Sequence, residues 1–338
     1  MNSEKILSII IPTYNMEDLL GRCLESLVVP ETIAETLEVL VINDGSKDRS
    51  YEIAHGYEEK YPDVFRVIDK ENGNYGSCVN RGLAEAIGKY IKILDADDTF
   101  DNKALCILID NLHYTEADLI LTNYCICNHD GNITEKKSFD LPTNTSLAIK
   151  DLGKMGPHMA MHAVTYKTEN LRHIGYKQTE GISYTDQEWI YEPMTTVNSF
   201  IYLDIFLYNY TVGREGQTMN IIALSRNMHH NLIVMRRMIQ TFNNSPMDSD
   251  ITKYLRLRIE GFAEYVYSLY LFNMKKMDVH PLITFDKELK HSCPTLYNYI
   301  GKLHAGKLPH VRLWRMFYYT EDHGLNNFFL YRRYHFWK

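Results

Sequence analysis

A chain of 338 residues, 45% hydrophobic and 23% charged, exceeds one average domain and is too apolar to remain disordered. No run of 18 apolar residues occurs and Met1 to Lys5 leads straight into a strand, so neither a membrane span nor a signal peptide is expected. The net charge of −7 is unevenly spread: residues 1–219 carry 19 Lys and Arg against 34 Asp and Glu, residues 220–338 carry 17 against 9. An acidic body argues against a nucleic-acid partner, while the basic remainder suits an anionic membrane surface. The six cysteines lack metal or redox spacing and sit in apolar segments, which points to a reducing cytoplasm.

In chain order, Leu7 to Pro12 (LSIIIP) is a continuous β-branched run, as in a strand covered on both faces. Asn15 is placed to cap a following helix whose Leu19, Leu20, Cys23, Leu24 and Leu27 share one face. Leu37 to Ile42 predicts a second strand ending in Asn43-Asp44-Gly45-Ser46, and an amphipathic helix from about Asp48 to Tyr61 stops before Pro62. Phe65 to Asp69 is a third strand, and the loop Glu71 to Gly76 leads into a helix from Ser77 to about Ile87. Tyr90 to Leu94 is a fourth strand, Asn102 to Leu112 a helix, and Ala117 to Cys127 a further strand. Four successive strand-then-helix units predict a parallel sheet with right-handed crossovers. Residues 128–220 are less regular, with a hairpin turn at Asn128 to Asn132, a helical connector over Thr143 to Gly156 and a strand from Ile201 to Tyr210. From about residue 221, Leu224, Met228, Leu232, Met235, Ile239 and Phe242 repeat at helical spacing, and a second helix is predicted over Ile251 to Phe272.

The chemistry gathers at strand tips. The fourth strand runs into Asp95, Asp97 and Asp98 (YIKILDADD), and in an open α/β sheet the ligand crevice lies beyond such strand ends. Two carboxylates of an Asp-x-Asp pair on one face repel unless a cation compensates, and this oxygen-rich set suits magnesium or manganese. Thr13-Tyr14, Asp44-Gly45 and Asp95 to Asp98 converge, so that an aromatic can stack on a nucleobase while an isolated carboxylate accepts a ring N–H. Asp44 also suits a helix cap or Asx turn. No G-x-G-x-x-G follows the first strand, and Gly88-Lys89-Tyr90 is no phosphate loop. His158 and His162 (HMAMH) lack the glutamate of a zinc protease, leaving a place on the acceptor or diphosphate side. Leu325 to Lys338 mixes aromatics with Arg and Lys, as either helical core or a membrane anchor.

The succession SIIIPTYN, VLVINDGSKDRS and NGNYGSCVNRGLAEAIGKYIKILDADD resembles the N-terminal half of the family 2 glycosyltransferases, closely over residues 5–127 and loosely over about 150–217. The resemblance implies an α/β GT-A fold, a Rossmann-like, mostly parallel sheet flanked by helices, over residues 1–220, with an additional helical domain over 221–338. It implies an inverting, metal-dependent transferase using a nucleotide-sugar donor, commonly UDP-linked, and a saccharide or lipid-linked saccharide acceptor in cell-surface polysaccharide or glycolipid synthesis. Manganese or magnesium is the implied cofactor. By the same resemblance Pro12, Tyr14 and Asp44 line the nucleoside pocket, with Asn15 beside them. Asp95 and Asp97 form the metal pair, Asp97 the more direct ligand and Asp95 near the ribose or donor sugar, with Ala96 between them against the donor. Asn80 and Gly82 match the family's A-R-N-x-G run, in which Arg81 is displaced from the arginine position; both Asn80 and Arg81 fall on the donor side. Arg214 matches the loop that closes over the diphosphate. Asp186, in Thr185-Asp186-Gln187-Glu188-Trp189, stands where the family's base deprotonates the acceptor hydroxyl, without the usual preceding Glu; a helix cap is the alternative role. The missing Glu also leaves a non-catalytic nucleotide-sugar-binding subunit as a second reading. A cytoplasmic chain, peripheral on the inner membrane face through its basic aromatic C-terminus and open to homo-oligomer formation, completes the expectation.

Overall fold

The computed structural model describes residues 4–213, 221–246, 249–273, 278–304 and 310–318. Arg214 and Leu325 to Lys338 lie outside the described residues. The chain divides into two compact units, residues 1–217 and 218–338.

The first unit begins as the apolar runs dictate. Strands β1 (Leu7–Thr13) and β2 (Leu37–Asn43) are buried at every position, which is why their sequences do not alternate. Between them lie the short helices α1 (Leu20–Glu25) and α2 (Glu31–Ala34). Helix α3 (Ser50–Lys60) leads to β3 (Phe65–Asp69), α4 (Asn74–Glu85) to β4 (Tyr90–Ile93), and β5 (Thr99–Phe100) to α5 (Asn102–His113). Asp101 caps α5 by accepting from the Ala104 N–H at 2.9 Å. The chain continues through β6 (Leu119–Cys127), β7 (Ile133–Lys137), β8 (Ser146–Leu147), β9 (Val164–Lys167), α6 (Thr168–His173), α7 (Asp186–Trp189) and β10 (Phe200–Thr211). The sheet order is β3-β2-β1-β4-β9-β6-β10-β5, with β7 on β6 and β8 on β10.

Strands β3, β2, β1 and β4 are parallel, as the repeating strand-helix units predict. Beyond β4 the sheet is mixed. The expectation of one parallel run through Ala117 to Cys127 meets an intervening strand: β9 lies antiparallel between β4 and β6, with Tyr166 opposite both Ile91 and Leu119. The hairpin at 128–132 is present, since β6 and β7 pair antiparallel across it. The connector over 143–156 contains the short strand β8 and a 3-10 stretch rather than an α-helix.

The helix expected directly after β1 starts late. Asn15 does not cap it; its φ of 52° lies in the left-handed region that asparagine tolerates. The Met16 and Glu17 N–H groups instead donate to Ser50 Oγ at 2.7 Å and Asp48 Oδ2 at 2.9 Å, so side chains after β2 satisfy the backbone after β1. These bonds stitch two strand tips together and delay α1 to Leu20.

The second unit is helical: α8 (Ile221–Asn244), α9 (Asp250–Ser268), α10 (His280–Ser292), α11 (Pro294–Ile300) and α12 (His310–Tyr318). Ser249 caps α9 through the Thr252 N–H. Asp286, fully buried on α10, accepts from Tyr267 of α9 at 2.5 Å and from Arg315 Nη2 of α12 at 2.6 Å. A buried carboxylate so paired fixes which helices meet. Among the described residues no helix is long and apolar enough to cross a membrane.

Candidate functional site

The parallel strands carry their polar residues to one end of the sheet. At the tip of β1, Pro12 is buried, whereas the Tyr14 side chain is 46% exposed beyond it. Asn15 Oδ1 accepts from the Lys47 N–H at 2.8 Å and its own N–H donates to Ser46 Oγ at 3.1 Å, tying the β1 and β2 tips. Asn15 therefore shapes the rim. A depression of about 540 Å³ opens beside Asn15, Lys47 and Asp48, but none of the clustered aspartates of β4 lines it.

Asp44, 2% exposed, accepts from Lys70 Nζ at 2.5 Å and from the Gly73 and Asn74 N–H groups, each at 2.9 Å. The Cys78 side chain also bonds this carboxylate, so its acceptor positions are largely committed. Asp44 is neither a helix cap nor a simple Asx turn. It anchors the loop that opens α4, where Asn74 adopts a φ of 67°.

That loop presents Tyr75 to the Asp-x-Asp turn, and the Tyr75 hydroxyl donates to Asp95 Oδ1 at 2.7 Å. Ala96 is buried between Asp95 and Asp97. Burial, and then the Asp97 charge, push the Asp95 carboxyl up to about 7. Asp98 is buried and is raised for the same reasons, burial first and the Asp95 and Asp97 charges next. Its oxygens accept from Tyr208 Oη at 2.8 Å and the Thr211 N–H at 2.7 Å, both of β10, while Tyr208 Oη also accepts from the Asp95 N–H at 3.1 Å.

His162, just before β9, completes the acidic group. Its ring stacks on Tyr210 with centroids 4.3 Å apart and approaches Tyr208 at 4.5 Å and Tyr124 at 5.3 Å. Burial and the nearby Lys92 push its pKa down to about 3, so the imidazole is neutral. Lys92, on β4 and fully buried, holds the His162 and Val164 carbonyls at 2.8 and 3.0 Å. Among the described residues the buried His162 Nδ1 has no hydrogen-bond partner. One ligand atom from each of Asp95, Asp98 and His162 falls within 4.8 Å of the others. Two carboxylates held against ionisation and a neutral imidazole with an unpaired nitrogen fit a divalent cation, which would satisfy all three. The sequence pointed to Asp95 and Asp97; the grouped ligands are Asp95, Asp98 and His162, and Asp97 is not among them.

Asp186 is the first residue of α7, with Thr185 at the cap position. Its charge contributes to the upward shifts of Asp95, Tyr75 and Tyr210. The turn before it contains Gly181 at φ 75° and Tyr184 at φ 68°, and a tyrosine in the left-handed region is held there at a cost. Buried Glu188 supplies part of the hold. It accepts from the Thr179 N–H and hydroxyl, both at 2.7 Å.

Asn80 and Arg81 are engaged by other parts of the chain. Asn80 pairs in both directions with the Gln178 backbone, accepting from its N–H at 2.7 Å and donating to its carbonyl at 2.9 Å, and also binds Glu180. Arg81 points away, with Nη2 2.9 Å from Glu85 one turn on along α4. The position of the family's arginine is held by buried Val79. Segment 178–181 lies so close to α4 that a Cβ on Gly76 would stand 2.1 Å from the Thr179 carbonyl oxygen. Gly76→Ala is therefore expected to cost about 1–3 kcal/mol of stability by displacing that backbone, measurable by urea denaturation.

Sequence reasoning did not single out Tyr75, Tyr208, Tyr210 or Glu188. The alternation of Tyr208 and Tyr210 near the end of the 201–210 strand was a usable sign, because residues two apart share a face.

A model of glycosyl transferase family 2 matches residues 8–175. The uncharacterized glycosyltransferase YibD of Escherichia coli (strain K12) is 47% identical over 98 residues, which is 29% of this chain and 28% of that protein's length. The uncharacterized glycosyltransferase MG060 homolog of Mycoplasma pneumoniae is 30% identical over 217 residues, covering 64% of this chain and 71% of the relative. Among solved structures, S. aureus TarS 1-349 in complex with UDP-GlcNAc matches with a TM-score of 0.70 at 19% identity, over 98% of this chain and 91% of that one. Mannosyltransferase PcManGT from Pyrobaculum calidifontis, in complex with GDP-Man and Mn2+, matches at a TM-score of 0.50 and 14% identity, over 87% and 84%. The mixed sheet with its added helices is thus a GT-A-like core with a C-terminal helical region, and the chain belongs to the family 2 glycosyl transferases.

Proposed function

We propose that the chain is an inverting transferase that moves a sugar from a UDP-linked donor to a hydroxyl of a saccharide or lipid-linked saccharide, in the synthesis of a surface polysaccharide or glycolipid. The observation that supports this reading is the grouping of Asp95, Asp98 and His162 beyond β4, with the Asp186 charge bearing on Asp95, Tyr75 and Tyr210. In this reading the uracil ring stacks on Tyr14 above Pro12, and its N–H competes for an oxygen of Asp44. Asp95, Asp98 and His162 would hold a divalent cation, manganese or magnesium, with Asp97 added from the partly exposed side of the same turn. A cation bound there supplies positive charge to the departing diphosphate. Asp186 accepts the proton of the acceptor hydroxyl as that oxygen attacks the anomeric carbon in line.

The UDP-GlcNAc complex of TarS and the GDP-Man and Mn2+ complex of PcManGT support a nucleotide-sugar donor and a divalent ion. Arg214 is kept as a diphosphate ligand on sequence grounds. We place the chain in the cytoplasm, with its basic C-terminal segment toward the inner membrane face.

The test is thermal unfolding of the chain with UDP and a panel of UDP-sugars, with and without Mn2+. A ligand at 100 times its Kd stabilises by about 2.7 kcal/mol, so a clear rise in Tm that requires the metal is expected. No rise with any nucleotide, in the presence or absence of metal, would overturn the reading.

A further inference from the structure

Four acidic groups act on a tyrosine whose ring the chain clamps and whose hydroxyl no described residue takes up. Tyr208 and Tyr210 are in regular register on β10, opposite Tyr124 and Ile126, so their side chains leave the same face of the sheet. The Tyr208 hydroxyl is taken up by Asp98 and by the Asp95 N–H. Tyr210, one step nearer the strand tip, has its ring fixed against His162 at a 27° interplanar angle. Its hydroxyl lies within the fields of Asp98, Asp95, Asp186 and Asp97. Tyr75, Tyr202 and Tyr208 all direct their hydroxyls to protein acceptors. Among the described residues the Tyr210 hydroxyl has no such partner.

In an in-line displacement, the group between the leaving diphosphate and the attacking hydroxyl is the sugar ring itself. A hydroxyl near both the Asp95 to Asp98 turn and Asp186 therefore faces that ring. A clamped aromatic with an uncommitted O–H in a polar cleft is arranged to orient a ligand.

We infer that Tyr210 binds the sugar being transferred, its hydroxyl donating a hydrogen bond to a hydroxyl oxygen of the donor's hexose. The inference rests on the proposed function, because it needs a nucleotide sugar in this cleft. It separates Tyr210 from the residues that hold the nucleotide: Tyr210 recognises the part of the donor that UDP lacks.

Calorimetric titration of the full chain with Mn2+ and UDP, UDP-glucose or UDP-N-acetylglucosamine, in wild type and Tyr210→Phe, tests it. Phenylalanine keeps the ring against His162 and removes only the hydroxyl. Affinity for UDP is expected to be unchanged, while affinity for the preferred UDP-sugar falls about 5- to 10-fold, the worth of one neutral hydrogen bond. In donor hydrolysis or transfer, kcat/KM falls with it. Equal sugar-nucleotide affinity in the two proteins would overturn the inference. So would a loss equally large for UDP, because Tyr210 would then be acting through His162 and the cation. A wild-type chain that binds UDP but gains nothing from an attached sugar would overturn the inference and leave nucleotide binding standing. One that binds neither UDP nor UDP-sugar would overturn the proposed function and the inference with it.

Discussion

Asp186→Asn is expected to bind the donor as tightly as wild type and to turn it over about 10²- to 10⁴-fold more slowly, the usual contribution of a positioned general base. The amide keeps the size of the side chain but cannot accept the acceptor's proton. Its neighbours argue that the loss is chemical rather than structural. The loop before it is held by Glu188 on Thr179 and by Asn80 on Gln178, and none of those bonds uses the Asp186 carboxylate. Donor affinity by calorimetry and kcat by product formation separate the two effects, since a base acts in the chemical step alone. The acidic limb of the pH profile, where protonation silences a general base, should disappear with the carboxylate. An unchanged kcat would reduce Asp186 to the first residue of α7.

Asp97→Ala is expected to lose metal-dependent transfer by at least about 10²-fold, because a charge that stabilises the leaving group is usually worth several kcal/mol. Asp97 is partly exposed, so thermal stability without metal should stay close to that of wild type. Asp98→Ala serves as the contrast. It removes an acceptor for Tyr208 and for the Thr211 N–H as well as a metal-facing oxygen, and is expected to cost about 1–3 kcal/mol of stability besides activity. Mn2+ titration followed by circular dichroism melting distinguishes the two variants. Full metal-dependent activity in Asp97→Ala would confine the cation to Asp95, Asp98 and His162.

The parallel half of the sheet was legible because its strands are uninterrupted apolar runs that end at polar tips. Tyr90 to Asp98 shows both features within nine residues, so strand, tip and acidic turn could all be read at once. The segment His158 to Tyr166 read equally as helix or strand, and the place of β9 in the sheet was not legible. Val164–Lys167 is four residues long, too short for any period, and its place between β4 and β6 depends on pairing with segments far away in sequence. The delayed α1 was hidden for a related reason: the donors and acceptors that reshape residues 15–17 belong to residues 46–50.

At the site, the acids were legible as a charge cluster and their partners were not. Motif matching put Arg81 toward the donor, whereas helical spacing alone would have put it outside. Cys78, Val79, Gly82 and Leu83 fill the inner face of α4, and Arg81 pairs with Glu85 on the outer one. His162 was weighed as half of a zinc pair with His158. Its actual setting, among Tyr124 of β6 and Tyr208 and Tyr210 of β10, is assembled from two strands, and a linear pattern carries no trace of it.

Helix α4 joins the two halves of the cleft. Its leading loop hangs on Asp44, and Gly73 and Asn80 clasp the backbone of 178–181 that leads to Asp186. The Asp44 loop with α4 and the segment leading to Asp186 are therefore not separable cassettes. Anyone building a chimera to change what it glycosylates must transplant residues 73–80 together with 178–188, because either piece installed alone meets a seam it was not cut to fit.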